Sequence, residues 1–360
     1  MERRLASLRE WLAGSDLDAI LITQAENRRY LSGFTGSAGS LLISEDRAIL
    51  ATDFRYIEQS QEQAPDFEVF RLDNSLTGCF ALLVKELGSK RMGFEAGDLT
   101  FATYQELRQA VPLEELVLES TDAVVERIRM VKDDVELGFT MKAAGIADAA
   151  FAHATSLLKP GVTEIQIAWE IEKFMRENGA EAVSFDTIVV AGPRSALPHA
   201  TPTDRGIREG EPIVIDFGAR VQGYCSDCTR TLILGEPDET FIKVYNTVLR
   251  AQRAAMAAVR PGVMGAEVDG VARQMITDAG YGEFFGHGLG HGTGLVVHER
   301  PTLRKTSTDR LGDGMLFSIE PGIYLPGWGG VRIEDLATIE QGELKLLTTA
   351  RKAGEIGGHG

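Results

Sequence analysis

Three of the six histidines in this 360-residue chain, His287, His291 and His298, fall in one short stretch, GHGLGHGTGLVVHE (286–299). Four carboxylates, Asp216, Asp227, Glu320 and Glu334, close or follow apolar runs such as IVID and LFSIE. A carboxylate in such company is buried, and burial without a partner costs several kcal/mol. It must therefore be protonated, ion-paired or metal-bound. Arg230 and Arg332 lie near enough in sequence to neutralise one acid each, which leaves converging acids in excess. Two divalent cations would absorb that excess, with two bridging carboxylates and one terminal carboxylate per ion. That is the donor pattern of a dinuclear hydrolase, whose ions sit about 3.5–4 Å apart. Oxygen-rich donors with one imidazole suit Mn, Co or Fe at least as well as Zn.

The histidine stretch has competing readings. Alternating glycines oppose a helix, so the His287–His291 spacing is not that of a helical zinc motif. No Gly-Lys-Ser/Thr follows, so it is not a phosphate loop. An extended strand would put His287 and His291 on one face, with glycines allowing close approach of backbone and ligand. Cys225 and Cys228 are expected on opposite faces of a strand, and no second pair completes a zinc framework. Both read as packing residues. His153, in an alanine-rich helix, and His359, in a glycine-rich tail, read as bystanders.

The elements that must position these groups form a repeat. KPGVTEIQIAWEIEKFMRENGA and RPGVMGAEVDGVARQMITDAGY place Pro160 against Pro261 and Gly179 against Gly280, a constant offset of 101. Each predicts a loop, a helix and a glycine C-cap. Each is followed by a β-hairpin with a carboxylate on both arms, and by a histidine ahead of that hairpin, His199 or His298. Two such halves pack about a pseudo-twofold axis and bring four acids to one centre. The text before residue 126 alternates strand and helix patterns, as in LASLREWLAGSDLDAILIT, and predicts a smaller α/β domain over 1–125. The remainder, 126–360, forms the second domain of an α+β protein.

Formal net charge is −16, which argues against nucleic acid or an anionic membrane as partner. No apolar run reaches the roughly 18 residues of a membrane span, and no signal peptide is expected. Three cysteines point to a reduced, cytoplasmic setting.

The motifs DFGARVQGYCSDCTRT, HGLGHGTGLVVHE, SIEPGIY and VRIED resemble, in order and spacing, those of the pita-bread metallopeptidases: methionine aminopeptidase, Xaa-Pro aminopeptidase and Xaa-Pro dipeptidase. YLSGFTGSAG, ATDFRY and RIRMVKDDVEL are similar to the N-terminal domain of the Xaa-Pro peptidases and creatinase. The resemblance implies a pita-bread catalytic domain behind a creatinase/prolidase-like one, with two divalent ions, manganese foremost and Co, Zn or Fe as alternatives. Asp216 would hold one ion, His291 and Glu320 the other, and Asp227 and Glu334 would bridge them. A metal-bridging hydroxide would attack the peptide carbonyl, with Glu320 relaying a proton. His298 and His199 would donate hydrogen bonds to the developing oxyanion and the leaving imine. Arg332 would orient the ligand carboxylates, while His287 and Tyr324 would line a proline pocket. The implied substrates are short peptides with proline second, and the implied assembly is a homodimer.

GFTGSAG and TDFRY resemble Xaa-Pro aminopeptidase more than prolidase, so the expectation is an aminopeptidase, with Xaa-Pro dipeptidase as the alternative. A dipeptidase needs an arginine for the free carboxylate, and Thr302 stands where one often occurs, flanked by Arg300 and Arg304. A metal-free peptide-binding scaffold is the reading from another class.

Overall fold

A computed structural model describes residues 2–353. The chain forms two compact units, divided between Arg129 and Met130. The helix Val124–Arg129 runs across the expected edge at 125 and belongs to the first unit. There Arg129 donates to Asn27 Oδ1 (2.7 Å), and Glu126 accepts from Asn27 Nδ2 (2.8 Å).

The first unit is built on one sheet. Its strands are β1 (Ala19–Ile22), β2 (Ser40–Ser44), β3 (Ala48–Thr52), β4 (Glu68–Arg71), β5 (Arg91–Glu95) and β6 (Val117–Thr121), in the order β4-β3-β2-β1-β5-β6. β1, β2 and β3 run antiparallel, β2 and β3 joined by a tight Ser44–Arg47 turn, and β5 and β6 add parallel to β1. The AILI run of β1 is buried throughout, as central-strand text should be.

The second unit repeats itself. The helices Glu164–Glu177 and Gly265–Asp278 each follow a turn pinned alike: Gly161 N–H donates to Ile207 O (2.9 Å) and Gly262 N–H to Leu311 O (2.7 Å). Each half keeps its own apolar core. Ile167, Ile171, Ile213 and Phe217 fill one; Val268, Ile276, Phe317 and Ile339 fill the other.

The first half carries β7 (Ala182–Val183), β8 (Ile188–Ala191), β9 (Pro212–Phe217), β10 (Ala219–Val221), β11 (Tyr224–Cys225) and β12 (Cys228–Ile233). The second carries β13 (Gly290–Gly292), β14 (Glu299–Leu303), β15 (Leu316–Ile319), β16 (Gly322–Leu325), β17 (Gly329–Arg332), β18 (Asp335–Glu340) and β19 (Glu343–Leu346). The expected simple hairpins are instead nested. β9 pairs with β12 around the inner pair β10–β11, and β15 pairs with β18 around β16–β17. Gly210 and Gly314, each at φ +77°, turn the chain into the two nests. At the first break a Cβ on Gly218 would lie 2.1 Å from the Ser226 carbonyl, so only glycine fits there.

Candidate metal centre

The breaks between outer and inner hairpins are where the acids sit. Asp227 falls between β11 and β12, Glu320 between β15 and β16, and Glu334 between β17 and β18; Asp216 is the penultimate residue of β9. A break releases a residue from strand pairing while both flanks stay anchored, so Asp227, Glu320 and Glu334 are each aimed by rigid backbone, while Asp216 is held within β9 by its own strand pairing. CSDC likewise spans a break rather than one strand, which corrects the expected opposite-face geometry. Cys225 and Cys228 are both buried and free, with burial raising the thiol pKa of each.

The two halves meet at these breaks. His291 Nε2 lies 3.2 Å from Glu320 Oε1 and 3.7 Å from Asp227 Oδ2. Asp227, His291 and Glu334 each offer a ligand atom, all within 4.8 Å of one another. Asp216 Oδ2 accepts from Arg332 Nη2 (2.6 Å). Arg332 Nε donates to Thr229 Oγ1 (3.0 Å), whose own proton goes to Glu334 Oε2 (2.8 Å). Thr229, opposite Asp216 in the ladder, was not anticipated. Its signal was available: hairpin register places it across from a site acid.

Arg230, the other nearby arginine, points away. It pairs with Asp335 (2.8 Å) and bonds the backbone carbonyls of Thr229, Glu334 and Ala350. Four acids therefore share one arginine and one imidazole. Burial, then repulsion from Glu334, Asp216 and Glu320, drives Asp227 well above the ordinary carboxylate range. Burial with the Glu320 and Asp216 charges lifts Glu334 to about 8. Asp216 is raised by burial, with Arg332 opposing. Burial opposes charge on His291, but its bond to Glu320 prevails and lifts it to about 9. Glu320, although burial alone would raise it, is held at about 2 by His291.

Two buried oxygens, Asp216 Oδ1 and Glu334 Oε1, have no hydrogen-bond partner. Orphaned carboxylate oxygens in a repulsive, mostly oxygen cluster fit divalent cations. His291 fits too. Its Nδ1 faces the Gly292 carbonyl (3.1 Å) and carries a proton, so Nε2 is the atom that would face a cation once its own proton is displaced.

The remaining histidines divide. The strand expected through the glycine stretch is confined to Gly290–Gly292, so His287 precedes it in irregular chain. His287 still reaches the site. Its Nδ1 meets the Gly288 carbonyl (2.7 Å) and its Nε2 accepts from Tyr324 Oη (3.0 Å), which itself accepts from Arg332 Nη1 (3.0 Å). Both ring nitrogens are thus consumed inside the protein. Burial lowers its pKa, so His287 is neutral and presents a shape.

His298 is exposed, its ring centroid 4.2 Å from that of His291. Burial and the neighbouring His291 and His199 charges lower its pKa. His199 is exposed on the loop after β8. The glycines serve protein packing rather than ligand approach: a Cβ on Gly290 would meet the Ser318 carbonyl at 2.0 Å, and on Gly292 the Arg300 carbonyl at 2.1 Å. Glu299, unanticipated, is locked by Lys132 (2.7 Å, side chains 6% and 1% exposed) and steadies the chain beside His298. His153 stacks on Phe174 (5.0 Å). His359 lies outside the described residues.

Nested hairpins from two similar halves closing on a ring of acids define a pita-bread metalloenzyme. The profile of metallopeptidase family M24 matches residues 139–341, and that of the creatinase/prolidase N-terminal domain matches 4–131. The chain belongs to metallopeptidase family M24. It is similar to a solved Xaa-Pro dipeptidase from Bacillus anthracis (42% identity, 98% of each chain, TM-score 0.94). It is similar also to an X-Pro aminopeptidase from Thermotoga maritima (38% identity, 96% of this chain and 98% of that one, TM-score 0.86). The Xaa-Pro dipeptidase of Pyrococcus horikoshii is 36% identical over 354 residues, 98% of each chain. Among the described residues no helix is long and apolar enough to cross a membrane.

Proposed function

We propose that this metallopeptidase is an Xaa-Pro dipeptidase working with two divalent ions, foremost manganese. The observation that carries the metal reading is the pair of orphaned buried oxygens on Asp216 and Glu334. Asp216 would hold one ion, His291 and Glu320 the other, with Asp227 and Glu334 shared. Such ions polarise a scissile carbonyl and acidify water. Glu320 moves a proton between water and the leaving nitrogen, the exposed imidazoles of His298 and His199 donate to substrate, and Arg332 holds Asp216 in place. His287 and Tyr324, whose polar atoms are spent on each other and on Arg332, form a wall that suits the apolar pyrrolidine ring of proline.

The dipeptidase reading, the alternative at the level of sequence, is preferred because two of the similar proteins are Xaa-Pro dipeptidases. The loop after β14 supports it. Arg300 is held by Asp309, which also accepts from the Thr302 N–H (2.9 Å). Arg304 is exposed, with no ion-pair partner among the described residues, and is available to a free carboxylate. The likeness to an X-Pro aminopeptidase keeps that activity as the second reading. Turnover of Xaa-Pro against Xaa-Pro-Yaa with manganese present decides between them. Preference for the dipeptide is expected, and preference for the longer peptide overturns the choice. Homodimeric assembly in the cytoplasm belongs to the same proposal, and light scattering tests the dimer.

A further inference from the structure

Two buried carboxylates outside the metal centre do the same job in the two halves. Glu164, the first residue of its helix, is completely buried. Its Oε1 accepts from Ala191 N–H (2.9 Å); its Oε2 accepts from Arg194 Nε (3.2 Å), Thr203 N–H (3.0 Å) and Thr203 Oγ1 (2.7 Å). Ala191 and Thr203 are the two ends of the loop that carries His199, so one carboxylate closes that loop. Arg194 tightens it further by donating to Thr201 O (2.6 Å).

Asp269, on the second repeat helix, is equally buried. It accepts from Arg273 (2.7 and 2.8 Å) and from Leu289 N–H (3.1 Å). Arg273 in turn donates to the carbonyls of Phe285 (2.9 Å) and His287 (2.8 Å). The segment Phe285–Leu289 that carries His287 is thus tied at both ends and at its centre.

These are not the same residue inherited twice. The 101-residue offset sets Glu164 against Gly265, and Asp269 lies one helical turn beyond that. Two halves that arrive at one device from different positions are under the same demand. That demand lies at Arg332 Nη1, which faces Pro198 O of the first loop (3.5 Å) and Tyr324 Oη, the partner of His287 (3.0 Å). Neither carboxylate touches a site acid, so the metal centre does not need them.

We infer that Glu164 and Asp269 are positioning residues that set the two walls of the substrate pocket, each through an arginine-braced loop, and that they control substrate affinity rather than metal binding. This rests on the peptidase reading above. Wild-type protein with manganese is assayed first on an Xaa-Pro dipeptide; no turnover there sinks the functional reading before the anchors are tested.

Given an active wild type, Glu164→Gln and Asp269→Asn are each expected to raise KM about tenfold, with kcat changed less than about threefold in Asp269→Asn and lowered further in Glu164→Gln, whose loop carries His199. Metal content should be unchanged, and faster amide exchange should be confined to 192–202 in the first variant and 285–289 in the second. KM at the wild-type value, or kcat and metal content falling while KM holds, overturns the inference. Should either variant fail to fold, Arg194→Lys and Arg273→Lys loosen the same loops more gently. A KM rise of about threefold is then expected, and an unchanged KM overturns it equally.

Discussion

Glu334 and Asp335 are adjacent, both buried and both acidic, yet they occupy opposite electrostatic worlds. Asp335 is saturated: Arg230 (2.8 Å), Thr348 (3.1 Å), Gln252 (3.1 Å) and Lys352 all donate to it. Glu334 receives one side-chain bond, from Thr229, keeps an orphaned oxygen, and titrates at about 8. One acid is buried with its charge already answered; the other is buried with its charge left open. A carboxylate that builds structure is satisfied by the protein, and one reserved for a ligand is left wanting.

Substitution separates the two most sharply. Glu334→Gln should lower kcat/KM by about three orders of magnitude or more if Glu334 is the shared metal ligand proposed above, while the metal-free protein melts at the same temperature or higher. A melting temperature that drops sharply would merge the two acids into one structural class. Asp335→Asn should do the opposite, costing about 3–5 kcal/mol of stability because Arg230 loses its counter-charge in the interior. Urea titration measures it, and a loss under about 1 kcal/mol would show that the saturation is cosmetic.

Metal removal extends the contrast to pH. In the chelated protein, folded Glu334 titrates near 8 against an ordinary 4.5, so the folded state holds an extra proton across that interval. Stability is then present near pH 5 and lost as pH rises toward 8. The melting temperature of chelated protein should fall by several degrees over that range, a slope that added manganese flattens. Smaller still, Thr229→Val should weaken metal binding by about 10–100-fold, by calorimetric titration, through the Glu334 and Arg332 bonds it severs. Thr348→Ala, on the satisfied side, should cost about 1 kcal/mol and leave metal affinity alone.

Much of this is legible in the sequence. The repeated helices follow from Pro160/Pro261 and Gly179/Gly280, because capping chemistry is local. The four acids follow from apolar runs ending in charge. What was not legible depended on non-local contact. Burial and pattern within VRIED do not separate Glu334 from Asp335; the resemblance singled out Glu334, and the physical reason, Arg230 meeting Asp335, is non-local. The breaks that split each hairpin arise from fits such as Gly218 against the Ser226 carbonyl, which no periodicity announces. His287 was expected in a strand shared with His291 and stands outside it. Alternating glycines read as room for a ligand, whereas Gly290 and Gly292 admit neighbouring carbonyls.

The bonds that complete the centre join residues far apart in the chain. Arg332 to Asp216 spans 116 residues and Thr229 to Glu334 spans 105. On a ribosome adding about 5–20 residues per second, Asp216 and Asp227 leave the exit tunnel seconds ahead of Arg332 and His291. Catalytic competence arrives only as the second half is delivered, so an interrupted translation product is inert by construction.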